Sequence, residues 1–370
     1  MDTKEQNADL TTSRMVFPDT HGDPVPTEPA ELLEVPASEE AAISDGHVEP
    51  RKKSPTPLQD SLRRLRRDKR AMASLVVILL FFIIPLVGPF IYQHIGGPYQ
   101  STLNGPIGPS VYHNPFHQEL DRQDEGPSAQ YWLGTDDIGR DLLARLMQGM
   151  LISISVALLV EVVDIGLGIL VGTLAGFNGG WIDQFLARFT DIMFAFPGLL
   201  FAILLTGIFG TAADQALSGL PVVGANGNAR LVIVSLALAF TAWPLMARYV
   251  RGQTLQLKEQ QFVEAARTSG TSNARIIWRH IVPNLFSIVV VASTLNIAGT
   301  VIGEAGLSFL GLGVQPPGSS IGLMINDALN LTETHPWEVL LPSITLTIVV
   351  LALSFLGDGL RDAFDPRSKD

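Results

Sequence analysis

Cysteine is absent from all 370 residues, so disulfides and thiolate-bound metals are excluded and the redox compartment stays open. Charge is scarce as well, at 16% of residues. The chain has no Gly-x-x-x-x-Gly-Lys-Ser/Thr loop, no His-Glu-x-x-His pair and no Gly-x-Ser-x-Gly elbow. Without a phosphate-binding loop the chain has no means of hydrolysing ATP, so any energy it uses must come from a partner. Catalytic residues, bound cofactors, metals and nucleic-acid partners are not expected. His280 stands alone in a polar loop and reads as a packing or surface residue.

Apolar residues make up 47% of the chain, 34 residues are Gly, and the apolar residues gather in long runs without an amphipathic period. That is the composition of a membrane protein. The net charge of −11 is unevenly spread, because residues 1–50 hold twelve acidic and two basic side chains. Residues 1–60 are acidic, proline-rich and without apolar periodicity, so they are expected to form a disordered cytoplasmic tail. Residues 61–92 combine a basic segment with the first span. Arg63, Arg64, Arg66, Arg67, Lys69 and Arg70 precede Ala71–Tyr92, which carries no charge and is long enough to cross a bilayer. Basic residues there hold the N-terminus in the cytoplasm, against anionic lipid headgroups. A cleavable signal peptide fits poorly, since the run starts late and is too long.

Residues 93–147 are expected outside, with Gly134 to Arg145 forming a turn that leads into an amphipathic helix. Asp136, Asp137 and Asp141 lack the spacing of a calcium loop, so no metal is assigned to them. Residues 148–370 form the core, with further spans near 149–177, 190–210, 230–249, 285–305 and 338–357 and a long outer loop over 211–229. Six spans return the C-terminus to the cytoplasm and put the 250–284 loop inside. Between Arg248 and Pro283, six basic residues face Glu259 and Glu264, whereas 310–338 has no Lys or Arg, as the positive-inside rule requires. Gly168, Gly172 and Gly176 share one helix face suited to close helix packing.

Two features invite a functional reading. Glu161 and Asp164 lie three residues apart within the second span, where ionised acids are costly, so they should face the bundle interior. With Asn296 and Glu304 in the fifth span they are candidates for a translocation path. Hydrogen bonding to a neighbouring subunit is the plainer alternative. The second feature is the polar, helix-prone stretch Glu264-Ala-Ala-Arg-Thr-Ser-Gly270, which continues through Arg275 to Pro283. Gly270 suits a left-handed helix end, Thr271 to Asn273 offer a cap for a second short helix, and Pro283 fixes the start of the next element. Such an elbow can dock in a groove of another protein, with Ala265 and Ala266 permitting close approach. The plainer alternative here is a solvated connecting loop.

Glu264-Ala-Ala, the Gly six residues on and the Pro nineteen on resemble the "EAA" loop of ATP-binding-cassette (ABC) importer permeases. Leu133–Arg145, Leu307–Pro317 and Leu356–Pro366 are similar to three more segments of the C-type permease subunits of dipeptide and oligopeptide importers, the DppC/OppC type. The resemblance covers roughly residues 70 to 368. It implies an all-α membrane protein with six transmembrane helices, the type I ABC importer (MetI-like) permease fold. It also implies a plasma-membrane complex with a B-type permease subunit, two ABC ATPase subunits that bind ATP and Mg, and an extracytoplasmic peptide-binding protein. In that reading Glu264, Ala265, Ala266, Gly270, Arg275 and Pro283 couple to the ATPase. A secondary transporter or channel free of any ATPase is the alternative outside the family, and a nickel or other small-solute importer is the one within it. The Leu133–Arg145 motif is structural in the family.

Overall fold

The computed structural model describes residues 57–102, 104–220 and 228–364. The acidic tail and the last residues of the Leu356–Pro366 segment therefore lie outside the described residues. In chain order the helices are α1 (Pro57–Arg67), α2 (Lys69–Tyr92), α3 (Pro109–Tyr112), α4 (Leu142–Asn178), α5 (Gly180–Ala195) and α6 (Gly198–Leu217). They continue with α7 (Ala229–Leu257), α8 (Gln261–Thr268), α9 (Asn273–Ile276), α10 (Phe286–Phe309), α11 (Ile321–Asp327) and α12 (Pro336–Phe364). A small antiparallel hairpin pairs β1 (Tyr99–Ser101) with β2 (Gly105–Ile107), Tyr99 opposite Ile107.

Among the described residues six helical runs are long and apolar enough to cross a membrane: α2, α4, α6, α7, Asn273–Phe309 and α12. The protein is a multi-pass membrane protein. Many large apolar side chains point away from the bundle, among them Phe90, Val162 and Leu200. With no water in the bilayer core, such helices satisfy their own backbone and leave apolar faces to lipid. The alternation of spans places the hairpin, α3 and α11 at one end, called here the hairpin end, and α8 and α9 at the other, the elbow end.

Several boundaries differ from those read in the sequence. The third span starts at Gly198, not near 190, because Phe196 and Pro197 break the chain and leave α5 as a separate helix. The 211–229 loop is shorter than expected, since α6 runs on to Leu217; residues 221–227 lie outside the described ones. Gly134–Arg145 turns into a helix as read, but that helix is the second span α4 itself and not an amphipathic one. Asp141 accepts hydrogen bonds from the Leu143 and Ala144 amides and caps α4 itself, which then continues through the second span. The second short helix of the elbow is not separate either: α9 passes through a π turn at Ile277–Ile281 and a 3-10 turn at Val282–Leu285 into α10.

The glycine stripe of α4 meets α7. A Cβ at Gly168 would fall 2.3 Å from Met246 Cγ, at Gly172 2.6 Å from the Ala247 carbonyl oxygen, and at Gly176 2.8 Å from Thr254 Cβ. The two backbones therefore pack closer than side chains would allow. At the hairpin end a buried ionic network fixes the Leu133–Arg145 motif. Arg140 Nε donates to Asp136 Oδ2 at 2.7 Å, Arg145 reaches both Asp136 and Asp327, and His113 Nδ1 lies 2.6 Å from Asp141 Oδ2. Asp136 and Asp141 are thus engaged in ion pairing and capping.

Candidate functional site

The elbow is built from the inside out. Its inner side chains, Val263, Ile276, Ile277, Ile281 and Leu285, are buried in one cluster with Phe177 of α4 and Met246 and Val250 of α7. That apolar back fastens the elbow to the bundle by hydrophobic burial, which needs no particular bond direction. Its outer side carries the residues singled out in the sequence. Glu264, Ala265, Gly270, Arg275 and Pro283 are exposed, and Ala266 is half-buried.

Gly270 adopts φ of 73°, a left-handed conformation that favours glycine. Its amide donates to the Arg267 carbonyl and the Thr271 amide to the Ala266 carbonyl, closing the end of α8. Ser272 takes the cap position of α9 but makes no side-chain capping bond. The Arg267 guanidinium sits 5.1 Å from the Phe177 ring centroid, joining α8 to the end of α4. Two aromatic residues not singled out in the sequence share the exposed surface: Phe262, and Trp278 at 64% exposure. The signal for Trp278 was its presence among charged residues. His280 lies partly buried near Phe262.

Nearby, α5 is tied to α7 by two ion pairs. Arg251 Nε and Nη2 donate to the two oxygens of Asp183 at 2.6 and 2.9 Å, and Arg248 donates to Asp191 at 2.8 Å. The bidentate bond from Arg251 holds the Asp183 carboxyl below the usual carboxylate range.

Three of the four residues assigned to a path come together inside the bundle. Glu161 and Asp164 lie on the buried face of α4, at 7% and 1% exposure. Asn296 of α10 donates through Nδ2 to Glu161 Oε2 at 3.3 Å and to Asp164 Oδ2 at 3.1 Å. One amide nitrogen carries two hydrogens, so it can serve one oxygen of each acid and no more. Glu161 Oε1 and Asp164 Oδ1 are buried without a placed hydrogen-bond partner among the described residues, with the Ser293 hydroxyl a further donor beside Glu161. Glu304 stands apart. It is fully buried, accepts from Ser153 Oγ at 2.7 Å and Ser308 Oγ at 2.8 Å, and lies about 12 Å further along α10 toward the hairpin end. Its contacts join α4 to α10 within the chain.

Comparison with known proteins adds three kinds of likeness. Residues 168–370 match the family model described as "Binding-protein-dependent transport system inner membrane component", and residues 56–106 match "N-terminal TM domain of oligopeptide transport permease C". The chain is 35% identical over 310 residues to the dipeptide transport system permease protein DppC of Bacillus subtilis, covering 84% of this chain and 85% of that one. It is 36% identical over 314 residues to the glutathione transport system permease protein GsiD of Pectobacterium atrosepticum (85% and 92% covered). Its identity to the oligopeptide transport system permease protein OppC of Mycobacterium tuberculosis is 33% over 312 residues (83% and 94% covered). Among solved structures, an inward-facing MetNI methionine ABC transporter aligns with a TM-score of 0.45 at 18% identity, covering 59% of this chain and 95% of that chain.

Proposed function

The chain belongs to the family of binding-protein-dependent transport system inner membrane components, and from that premise we propose that it is the C-type permease subunit of an ATP-driven peptide importer. The type I importer architecture comes with the family, mostly helical here with the β1–β2 hairpin as its one small sheet among the described residues. Peptides are the cargo class named for the dipeptide, oligopeptide and glutathione relatives. The chain itself is a transport subunit without an ATPase site. ATP and Mg belong on two partner ATPase subunits, a B-type permease completes the pore, and an extracytoplasmic protein delivers the peptide.

The elbow is the observation that carries this reading. Its apolar back is locked into the bundle and its exposed front bears Glu264, Ala265 and Arg275 beside Trp278. A surface so held moves with the spans it is fastened to, which suits rigid-body switching between inward-facing and outward-facing states. The membrane is the plasma membrane, with both termini and the elbow in the cytoplasm. Arg63, Arg64, Arg66 and Arg67 lie on α1, which precedes the first span at the elbow end, consistent with the positive-inside rule and with contact to anionic lipid.

Co-purification tests the reading. The native chain should bring down an ABC ATPase subunit, and Glu264→Lys should weaken that association while membrane insertion persists. A chain that transports in proteoliposomes without any ATPase would instead be a secondary transporter or channel.

A further inference from the structure

At the hairpin end three metal-ligating side chains converge that play no part in the reading above. Asp124, His335 and Glu338 each offer a ligand atom within 4.8 Å of those of the other two. They come from distant parts of the chain: Asp124 from the segment after the hairpin, His335 just before α12 and Glu338 in its first turn. His335 stands immediately before the first turn, its carbonyl accepting from the Glu338 amide at 3.2 Å, and this turn brings the two side chains together.

Asp124 is held in place by its backbone. It has φ of 51°, the left-handed region that Asp tolerates better than most residues, and its amide donates to the Asp136 carbonyl at 3.0 Å. The His335 ring packs edge-on against Trp337, with centroids 5.2 Å apart. Glu338 is 2% exposed, and its Oε1, like Asp124 Oδ1 and His335 Nδ1, is buried without a hydrogen-bond partner among the described residues. Three unpaired polar atoms of two carboxyls and an imidazole, gathered this closely, are costly unless a proton or a cation lies among them. The nearby guanidinium groups are turned to other acids, Arg140 and Arg145 pairing with Asp136 and Asp327, though Arg145 Nε itself has no partner among the described residues.

We propose that Asp124, His335 and Glu338 form a divalent transition-metal site that pins the outer segment to the start of the last span. Two carboxylates and a neutral imidazole match a divalent charge. The imidazole favours zinc and its neighbours over calcium or magnesium, whose ligands are oxygens. Three protein ligands leave a fourth position for water.

The test uses the full-length chain in its assembled complex, stripped with chelator and then titrated with Zn²⁺ or Co²⁺ alone. A stoichiometric amount of metal should bind, with visible Co²⁺ absorption bands, and both should be lost in His335→Ala and in Glu338→Gln. On the unmutated protein, Zn²⁺ should shield His335 from carbethoxylation by diethyl pyrocarbonate, read by peptide mass spectrometry. Zn²⁺ or Co²⁺ bound by the wild type no greater than that bound by the combined Asp124→Asn, His335→Ala and Glu338→Gln variant would overturn the site. So would His335 modification at equal rates with and without Zn²⁺, leaving Asp124 and Glu338 to share a proton instead.

Discussion

Asn296 Nδ2 lies 3.1 Å from Asp164 Oδ2, a hydrogen bond from α10 to α4 through the interior of the membrane-spanning bundle. The same amide reaches Glu161, whose carboxyl also lies beside the Ser293 hydroxyl, so two acids share neutral donors only. In the proposed translocation path, a charged peptide amino terminus would supply the donors that Asn296 lacks. Glu161→Gln with Asp164→Asn should therefore slow uptake of peptides with a free amino terminus by about tenfold, the worth of one charge-assisted hydrogen bond. Uptake of N-acetylated peptides should change little. The check is the ratio of the two rates in proteoliposomes at equal assembly, and an unchanged ratio would leave the acids with a structural role alone.

Gly270 offers a cleaner test of the elbow because a Cβ there would meet nothing within 4 Å. Only backbone conformation opposes a substitution, at roughly 1–2 kcal/mol for a branched residue in the left-handed region. Gly270→Val should uncouple ATP hydrolysis from uptake, and Gly270→Asn should largely restore coupling. The measurement is uptake per ATP hydrolysed; equal coupling in Val and Asn variants would remove the elbow geometry from the mechanism.

The glycines of α4 divide into two kinds. Gly172→Ala drives a methyl to 2.6 Å from the Ala247 carbonyl oxygen and should destabilise the α4–α7 contact by about 1–3 kcal/mol. Gly166→Ala meets nothing within 4 Å and should be neutral or slightly stabilising. Thermal unfolding of the detergent-solubilised protein distinguishes them, and similar melting points for the two variants would contradict the close packing.

Asp183 gives a pH dependence with a definite sign. Because Arg251 lowers its folded-state pKa, the pair contributes stability that is present above the ordinary carboxylate value and is lost as pH falls through the lowered one. Acidification below about pH 4 should loosen α5 from α7. Asp183→Asn should show that loosening already at neutral pH and lose the acid-dependent step, followed by protease cleavage within α5.

The long apolar runs made the spans legible, because a membrane demands length and hydropathy before anything else. Gly270 was legible for a similar reason, since its local conformation needs no tertiary partner. The start of α6 at Gly198 was harder, because the apolar run continues across Phe196 and Pro197 without a drop in hydropathy. The continuity of α9 with α10 was hidden by Pro283, which sits in a 3-10 turn that absorbs its missing amide hydrogen. Asn296 could be suspected as a polar residue in an apolar run, but its pairing with Glu161 and Asp164 is a matter of helix register. Asp124, His335 and Glu338 gave no joint signal, as their proximity exists only once α12 meets the segment after the hairpin.

The length of α4 has a mechanical consequence. From Leu142 to Asn178 it spans about 55 Å, well beyond the roughly 30 Å of a bilayer's hydrocarbon. It is anchored at the hairpin end by the Asp141 cap and gripped at the elbow end, where Phe177 lies beneath Arg267. Its glycines mesh with α7, so the two helices behave as a doubled shaft. In the proposed coupling, a push on the elbow would arrive at Glu161 and Asp164 as a turn or stroke of that shaft, and the acids would change their distance from Asn296 without any residue between having to unfold.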